Sequence, residues 1–193
     1  MTGNTEEYMR QVTIGDLVPH DATIFLAAYD PAWPLAYEGL AGRIRAALGR
    51  GALVLEHVGS TSVPGLAAKP VIDIVLAVED SRDEAAYVPA LVAHGFELRI
   101  REPGWFQHRL LKSRDVASNL HVFSQGCEEI DRMLAFRDWL RTNDRDRADY
   151  ERTKRELAAR TWRHVQNYAD AKTEQVRAIL ERAQAARQGR LEP

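Results

Sequence analysis

The chain has a single cysteine, Cys127, in 193 residues. One thiol cannot close an internal disulfide, and it cannot build a thiolate zinc site. A reducing compartment, the cytoplasm, is the expected setting. Charge of one sign is not in surplus either: 26 Lys plus Arg stand against 28 Asp plus Glu, a formal net charge of -2. Proteins dedicated to DNA or RNA bring excess cations to displace counterions from phosphate, so nucleic acid is not an expected partner. A small anion needs only two or three local donors, and that class stays open. No stretch approaches the eighteen or so consecutive apolar residues of a membrane span. The polar, acidic N-terminus lacks the apolar centre of a signal peptide. Internal repeats and low-complexity tracts are missing. So is the Gly-x-Ser-x-Gly elbow of serine hydrolases, which argues against Ser60 as a covalent nucleophile.

What is present is the mix of an ordinary globular protein, 45% apolar and 28% charged. Hydrophobic periodicity predicts an α/β (α+β) fold, a sheet flanked by helices and followed by a helical C-terminal lobe. The expected divisions are a flexible leader at 1–20, a core at 21–126, the lobe at 127–185 and a tail at 186–193. Residues 22–29 are apolar and rich in β-formers. A helix is expected at 33–48, with Leu35, Leu40, Ile44 and Leu48 buried and Gly49 past its end. Strands are expected at 53–58, 70–78, 96–101, 105–112 and 119–123, and a helix at 83–94. The run at 70–78 is apolar except for Asp73, as a central strand covered on both faces would be. In the lobe, helices are expected from Glu128, from a cap at Asn143 or Asp144, and over 163–185.

The most informative segment runs from His57 to Val78, HVGSTSVPGLAAKPVIDIVLAV. A strand enters a Gly-Ser turn, and a second strand follows with a carboxylate inside it. Gly59 lets backbone approach a ligand closely. The N–H groups and hydroxyls of Ser60, Thr61 and Ser62 can surround phosphate oxygens, and Lys69 can add a point charge. Asp73 lies in an apolar strand, where an ionised carboxylate is costly unless paired or bound to metal. Together these groups can hold a magnesium nucleotide. The plainer readings are a simple turn and a structural acid tied to Lys69, an arginine or backbone donors.

This segment resembles the GrpB family, a bacterial group assigned to the nucleotidyltransferase superfamily, through Glu56-His57-Val58-Gly59-Ser60-Thr61, then Val63-Pro64-Gly65-Leu66-Ala67-Ala68-Lys69-Pro70 and Ile72-Asp73-Ile74. Tyr29-Asp30-Pro31-Ala32-Trp33-Pro34, Phe136-Arg137-Asp138-Trp139-Leu140-Arg141, Lys154-Arg155-Glu156-Leu157-Ala158 and Tyr168-x-x-Ala-Lys172 agree with further family blocks. The resemblance covers about residues 22–182. It implies a mixed nucleotidyltransferase-like sheet in which Gly-Ser holds a nucleoside triphosphate. Two carboxylates spaced Asp-x-Asp, with a third from a later strand, would bind magnesium. Mapped here, Gly59, Ser60 and Asp73 are in place, but the second acid is Val75. The family's His-Leu-His-Val reads Asn119-Leu120-His121-Val122, with no acid at the third position.

Glu56, three residues before Gly59, is the candidate for a second acid; the alternative is an exposed or ion-paired strand residue. His57, His108 and His121 fall on expected strands near the turn. They are either wall residues or, with Glu56 or Asp73, ligands of a transition metal, and His121 is also a candidate general base. Arg109 is a candidate phosphate ligand; Arg101, Lys112 and Arg137 read equally well as surface charges, and Arg137 alternatively as a tie between lobe and sheet. The tryptophans read as core, with base stacking on Trp105 the alternative. The expected function is nucleotidyl transfer from a magnesium nucleoside triphosphate to a small acceptor. The alternatives are a nucleotide- or phosphometabolite-binding module without turnover, and a structural or interaction protein.

Overall fold

A computed structural model describes residues 5–188. The first four residues of the expected leader and the last five of the expected tail lie outside the described residues.

The sheet is built on β2 (Ile72–Val78), the most apolar segment. Strand β1 (Val54–Val58) pairs with it antiparallel, and β5 (Ser118–Ser124) pairs with it parallel on the other side. Strands β4 (His108–Ser113) and β3 (Phe96–Glu102) complete a five-stranded mixed sheet of order β1-β2-β5-β4-β3. Alternation along β2 sends Ile72, Ile74, Leu76 and Val78 to one face, and Asp73, Val75 and Ala77 to the other.

The first face is sealed by α2 (Ala32–Leu48), whose Trp33, Tyr37, Leu40, Ala41 and Ile44 are buried against it. That stripe steps by three or four residues. Leu35 falls between its turns and stands 74% exposed, against the sequence expectation. The helix expected at 83–94 is shorter, a 3-10 turn at Glu84–Ala86 followed by α3 (Val88–Ala93). Pro89 lacks the N–H that an earlier turn would need. Strand β4 starts at His108 rather than at 105, because Phe106 and Gln107 adopt left-handed φ angles of 52° and 53°.

The second face meets α4 (Glu128–Thr142). Ile130, Met133 and Leu134 pack on Val58, Val75, Ala77 and Phe123. Next come α5 (Asp144–Ala158), capped by the Asn143 side chain, then α6 (Val165–Asp170) and α7 (Thr173–Gln188). The single helix expected over 163–185 is therefore two, broken at 171–172. Residues 22–29 form only isolated bridges, to Ala68 and Trp162.

The segment expected to be a loose leader is docked. Helix α1 (Glu6–Val12) buries Met9, the Ile14 N–H donates to the Arg99 carbonyl, and the Tyr8 hydroxyl donates to Glu102 at 3.0 Å. With Met9 alone buried, this short polar helix has too little periodicity to be predicted from sequence.

Candidate functional site

Strand β1 ends in Gly59, and the chain turns through a 3-10 segment, Ser60–Ser62. Gly59 has φ 68° and ψ -169°, a region open almost only to glycine. A Cβ there would overlap the carboxylate of Asp73, its Cβ lying 2.9 Å away. The turn therefore sits directly against Asp73, which pairs with Val58 across the sheet. The sequence pattern called for close approach of a ligand at Gly59; the group found close to it is the Asp73 side chain.

Asp73 keeps 29% of its side-chain exposure, so it is not sealed in the core. The Asn119 amide donates to its Oδ1 at 2.8 Å. His121 Nε2 stands 3.9 Å from the same oxygen. Burial pushes the Asp73 carboxyl up, but His121, Asn119 and the Lys69 charge outweigh it and hold the group below its usual value. Val75, where a second acid was sought, is fully buried among Val58, Ala77 and Phe123. Asn119 and His121 occupy the stretch where a third acid was sought. Among the described residues no group of three or more His, Cys, Asp or Glu side chains is placed to hold a metal.

Other candidates are committed elsewhere. The Thr61 hydroxyl donates to the Val71 carbonyl and accepts from His57 Nε2, and the Ser62 hydroxyl donates to the Gly59 carbonyl at 2.6 Å. Both brace the turn from within. His57 is on the opposite face, stacked on Tyr37, and burial lowers its pKa to about 4. Glu56 accepts from Arg137 of α4 at 2.8 Å, and the same guanidinium donates to the His57 carbonyl. That pair is a tether between sheet and lobe, which accounts for Glu56 without a catalytic role. Arg109, expected as a phosphate ligand, does not reach the turn. It pairs with Val122 on the α2 face, donates to Glu84 at 2.6 Å and is buried there, across the sheet from Asp73. Trp105 packs edge-on to His108 and Phe123, which makes it part of the wall.

The structure adds groups that the sequence reading did not single out. Lys154 of α5 is fully buried, donates to the Ala67 carbonyl and lies over the Tyr150 ring. Glu151, one turn earlier, accepts the Ala67 N–H at 3.2 Å, so α5 grips this peptide from both sides. Lys172, at the α6–α7 junction, lies over the Tyr168 ring, 4.3 Å from its centroid. Burial pulls Lys154 down to about 7 and Lys172 down to about 8, and lowers Lys69 as well. The charge of Asp73 opposes that shift at all three lysines, while Lys69 lowers Lys172 and Lys172 lowers Lys154. Tyr150 is in side-chain hydrogen-bonding contact with Ser60, and the buried Tyr168 hydroxyl has no hydrogen-bond partner among the described residues. Lys154 and Lys172 sit inside family-like blocks, but nothing local in sequence says that they come within reach of the charge of Asp73.

A model of the GrpB protein family matches residues 23–182. A UPF0157 protein of Halalkalibacterium halodurans is 58% identical over 184 residues, covering 95% of this chain and 94% of that one. A protein named dephospho-CoA kinase in Mycolicibacterium paratuberculosis is 29% identical, over 84% of this chain but 46% of its own length. Among solved structures, the conserved protein GrpB from Enterococcus faecalis superposes with a TM-score of 0.73 at 31% identity, covering 82% of this chain and 96% of that one. The mixed α/β architecture expected from the resemblance is the one present. The family match thus runs from just before α2 into α7 and includes the Gly-Ser turn together with Lys69, Lys154 and Lys172: the chain belongs to the GrpB family.

Proposed function

We propose that the protein binds a nucleoside triphosphate beneath the turn at 59–62 and transfers its nucleotidyl group to a small acceptor. The observation that carries this reading is that Lys69, Lys154 and Lys172, from three separate segments, all feel the charge of Asp73 beside the turn, with Glu151 acting on Lys154 and Asp170 on Lys172 as well. Dehydrated ammonium groups held near one another are unfavourable unless an anion joins them. A polyphosphate beside Asp73 would supply such an anion. The lysines bind and orient the phosphates, and Gly59 lets the chain lie close to them.

Asp73 suits a divalent cation that arrives on the nucleotide, because such ions take one or two protein carboxylates and fill the other positions with phosphate and water. Magnesium bound there would neutralise charge developing on the phosphates during transfer. The donor set does not suit a cation held by protein groups alone.

A second reading is favoured by Val75 and Asn119, which leave Asp73 as the one acid of the expected three. On that reading the protein binds a nucleotide and does not turn it over.

Thermal unfolding with ATP, GTP, CTP, UTP and dephospho-CoA, each with and without magnesium, tests both. The last belongs in the set because of the kinase-named relative. A ligand at a hundred times its Kd adds about 2.7 kcal/mol. A magnesium-dependent shift that Asp73→Asn removes, with pyrophosphate released in the presence of an acceptor, supports transfer. A shift without pyrophosphate release supports binding alone. No shift with any of them rejects both.

A further inference from the structure

We propose that Lys112 and Arg99 form an anion subsite for the acceptor, so that the acceptor is a small molecule carrying a carboxylate or phosphate besides its nucleophilic atom. This deepens the proposed function and rests on its transfer reading.

The sheet register places the two cations. Leu110 of β4 pairs with His121 of β5, and Leu111 with Leu120. Side chains alternate along a strand, so Lys112 shares a face with Leu110 and with His121. Asn119 lies beside Asp73 in the parallel pair of β2 and β5, and its amide donates to the Asp73 carboxylate. One step beyond the Leu111–Leu120 pair, Lys112 comes level with Asn119. The Ser113 N–H, donating to the Ser118 hydroxyl at 3.2 Å, continues that alignment. Asp73, Asn119 and Lys112 thus form a row across three neighbouring strands, with about 10 Å between the outer two. Arg99 enters from β3. The register shifts between Leu98, opposite Leu111, and Ile100, opposite Leu110, which makes Arg99 the extra residue of a bulge.

Neither cation is neutralised as a surface charge usually is. Lys112 is exposed and makes no hydrogen bond or ion pair among the described residues. Arg99 keeps 40% of its side-chain exposure, and its ion pair is a long one, 4.0 Å to Glu97. Glu97 pairs with Lys112 in the register, but its carboxylate meets Arg114 at 2.9 Å. Partial burial lowers the Lys112 pKa, the Arg99 charge lowers it further, and Asp73 opposes both. Two like charges this close are relieved by an anion. A lysine offers a point charge and an arginine a planar fork, and both suit carboxylate or phosphate oxygens.

Position assigns the anion to the acceptor. In transfer the acceptor's nucleophilic oxygen or nitrogen bonds the α-phosphorus, the bond to the bridging oxygen breaks, pyrophosphate leaves with that oxygen, and the acceptor's proton passes to water. Entering and leaving atoms stand in line. The turn at 59–62 follows β1, on one side of β2, whereas β5, β4 and β3 lie on the other. Phosphates directed at the turn leave the approach over β5 and β4 to the acceptor, and Lys112 and Arg99 stand on that approach.

The test is nitrogen-15 NMR titration with inorganic phosphate and, separately, acetate, at constant ionic strength. One series uses the free protein, the other protein saturated with the magnesium complex of α,β-methylene-ATP, which cannot release pyrophosphate. In the saturated protein one anion should bind, with shifts at 97–100 and 111–113. The tighter of the two probes names the acceptor's anionic group. Lys112→Gln should weaken that binding at least tenfold and Arg99→Gln at least threefold. Lys112→Arg should retain it, and nucleotide affinity should change less than threefold in all three variants. Unchanged amide spectra elsewhere confirm that they fold. Absence of those shifts in the saturated protein, undiminished binding by Lys112→Gln, or displacement of the anion by the nucleotide overturns the proposal. The last result would make these cations ligands of the nucleotide itself. A protein that binds no nucleotide but keeps Lys112-dependent phosphate binding would overturn the transfer reading and support the anion site, so the two failures are distinguishable.

Discussion

At Gly59 a missing side chain decides the geometry. Its φ of 68° lies where other residues are strained, and any Cβ would run into Asp73. Gly59→Ala should cost about 1–3 kcal/mol of stability from backbone strain, and chemical denaturation measures it. The same change should displace Asp73 and weaken nucleotide binding. Gly65, also at positive φ but with open space around it, serves as the control: Gly65→Ala should lose stability and keep binding. The lysines give a pH signature of the opposite kind. Lys154 near 7 and Lys172 near 8 stand below the ordinary lysine value because burial disfavours charge. In the ligand-free protein the unfolded chain binds more protons than the native one between these values and about 10.4, so their contribution to stability rises with pH over that window. A bound polyphosphate restores the protons. Binding should therefore take up protons near pH 8, and affinity should fall between about pH 7 and 9. Calorimetry in two buffers of different ionisation heat reads the proton uptake, and proton release would contradict it. Gly59, Ser60 and Asp73 were legible in the sequence because they lie within one turn and its adjacent strand. Lys154 was not, because its contact with Ala67 spans 87 positions. Arg109 misled for a different reason. A charged residue on a strand can face either side of the sheet, and its partner Glu84 lies 25 positions away.

At the scale of elements, the turn is held by the lobe. Arg141 of α4 donates to the Ser62 carbonyl, and α5 holds both polar groups of the Ala67 peptide through Glu151 and Lys154. Leu66 and Val63 are fully buried with Leu140, Tyr150 and Ile179, so the loop between turn and β2 is part of the lobe's own core. Glu151→Ala should free the Ala67 N–H and reduce the nucleotide-induced thermal shift without touching any phosphate. The Glu56–Arg137 contact makes a separate claim. Arg137 is buried, and it satisfies the His57 carbonyl as well as Glu56. Arg137→Ala should lose about 1–3 kcal/mol, because it leaves a buried carbonyl without its donor. Glu56→Gln should keep full nucleotide binding and turnover. A Glu56→Gln protein that folds normally but has lost pyrophosphate release would restore Glu56 to the catalytic acids. The strands and long helices were legible from period two and period 3.6. The docked α1 was not, since it depends on contacts made with the distant β3.

For the whole molecule, the groups that act on Asp73 or feel its charge come from both core and lobe. The sheet contributes Asp73, Asn119 and His121, the loop after the turn contributes Lys69, and the lobe contributes Lys154 and Lys172. Hydrogen exchange should therefore show protection by nucleotide in both halves together, at 59–71 and around 171–172, with no change in the α2 face. Protection confined to the sheet would contradict a shared site. The order of elements and the α/β class could be read from hydrophobic pattern. The way the lobe folds back over the turn could not, because charged helices such as α5 read as solvated surfaces until their buried members, Tyr150 and Lys154, are placed.

The most direct test of the account is calorimetric titration of the wild type, Lys172→Gln and Asp73→Asn with a magnesium nucleoside triphosphate. The account predicts saturable binding by the wild type, at least tenfold weaker binding by Lys172→Gln whether or not magnesium is present, and loss of the magnesium dependence alone in Asp73→Asn. Equal affinity in all three proteins, or no binding by the wild type, would contradict it.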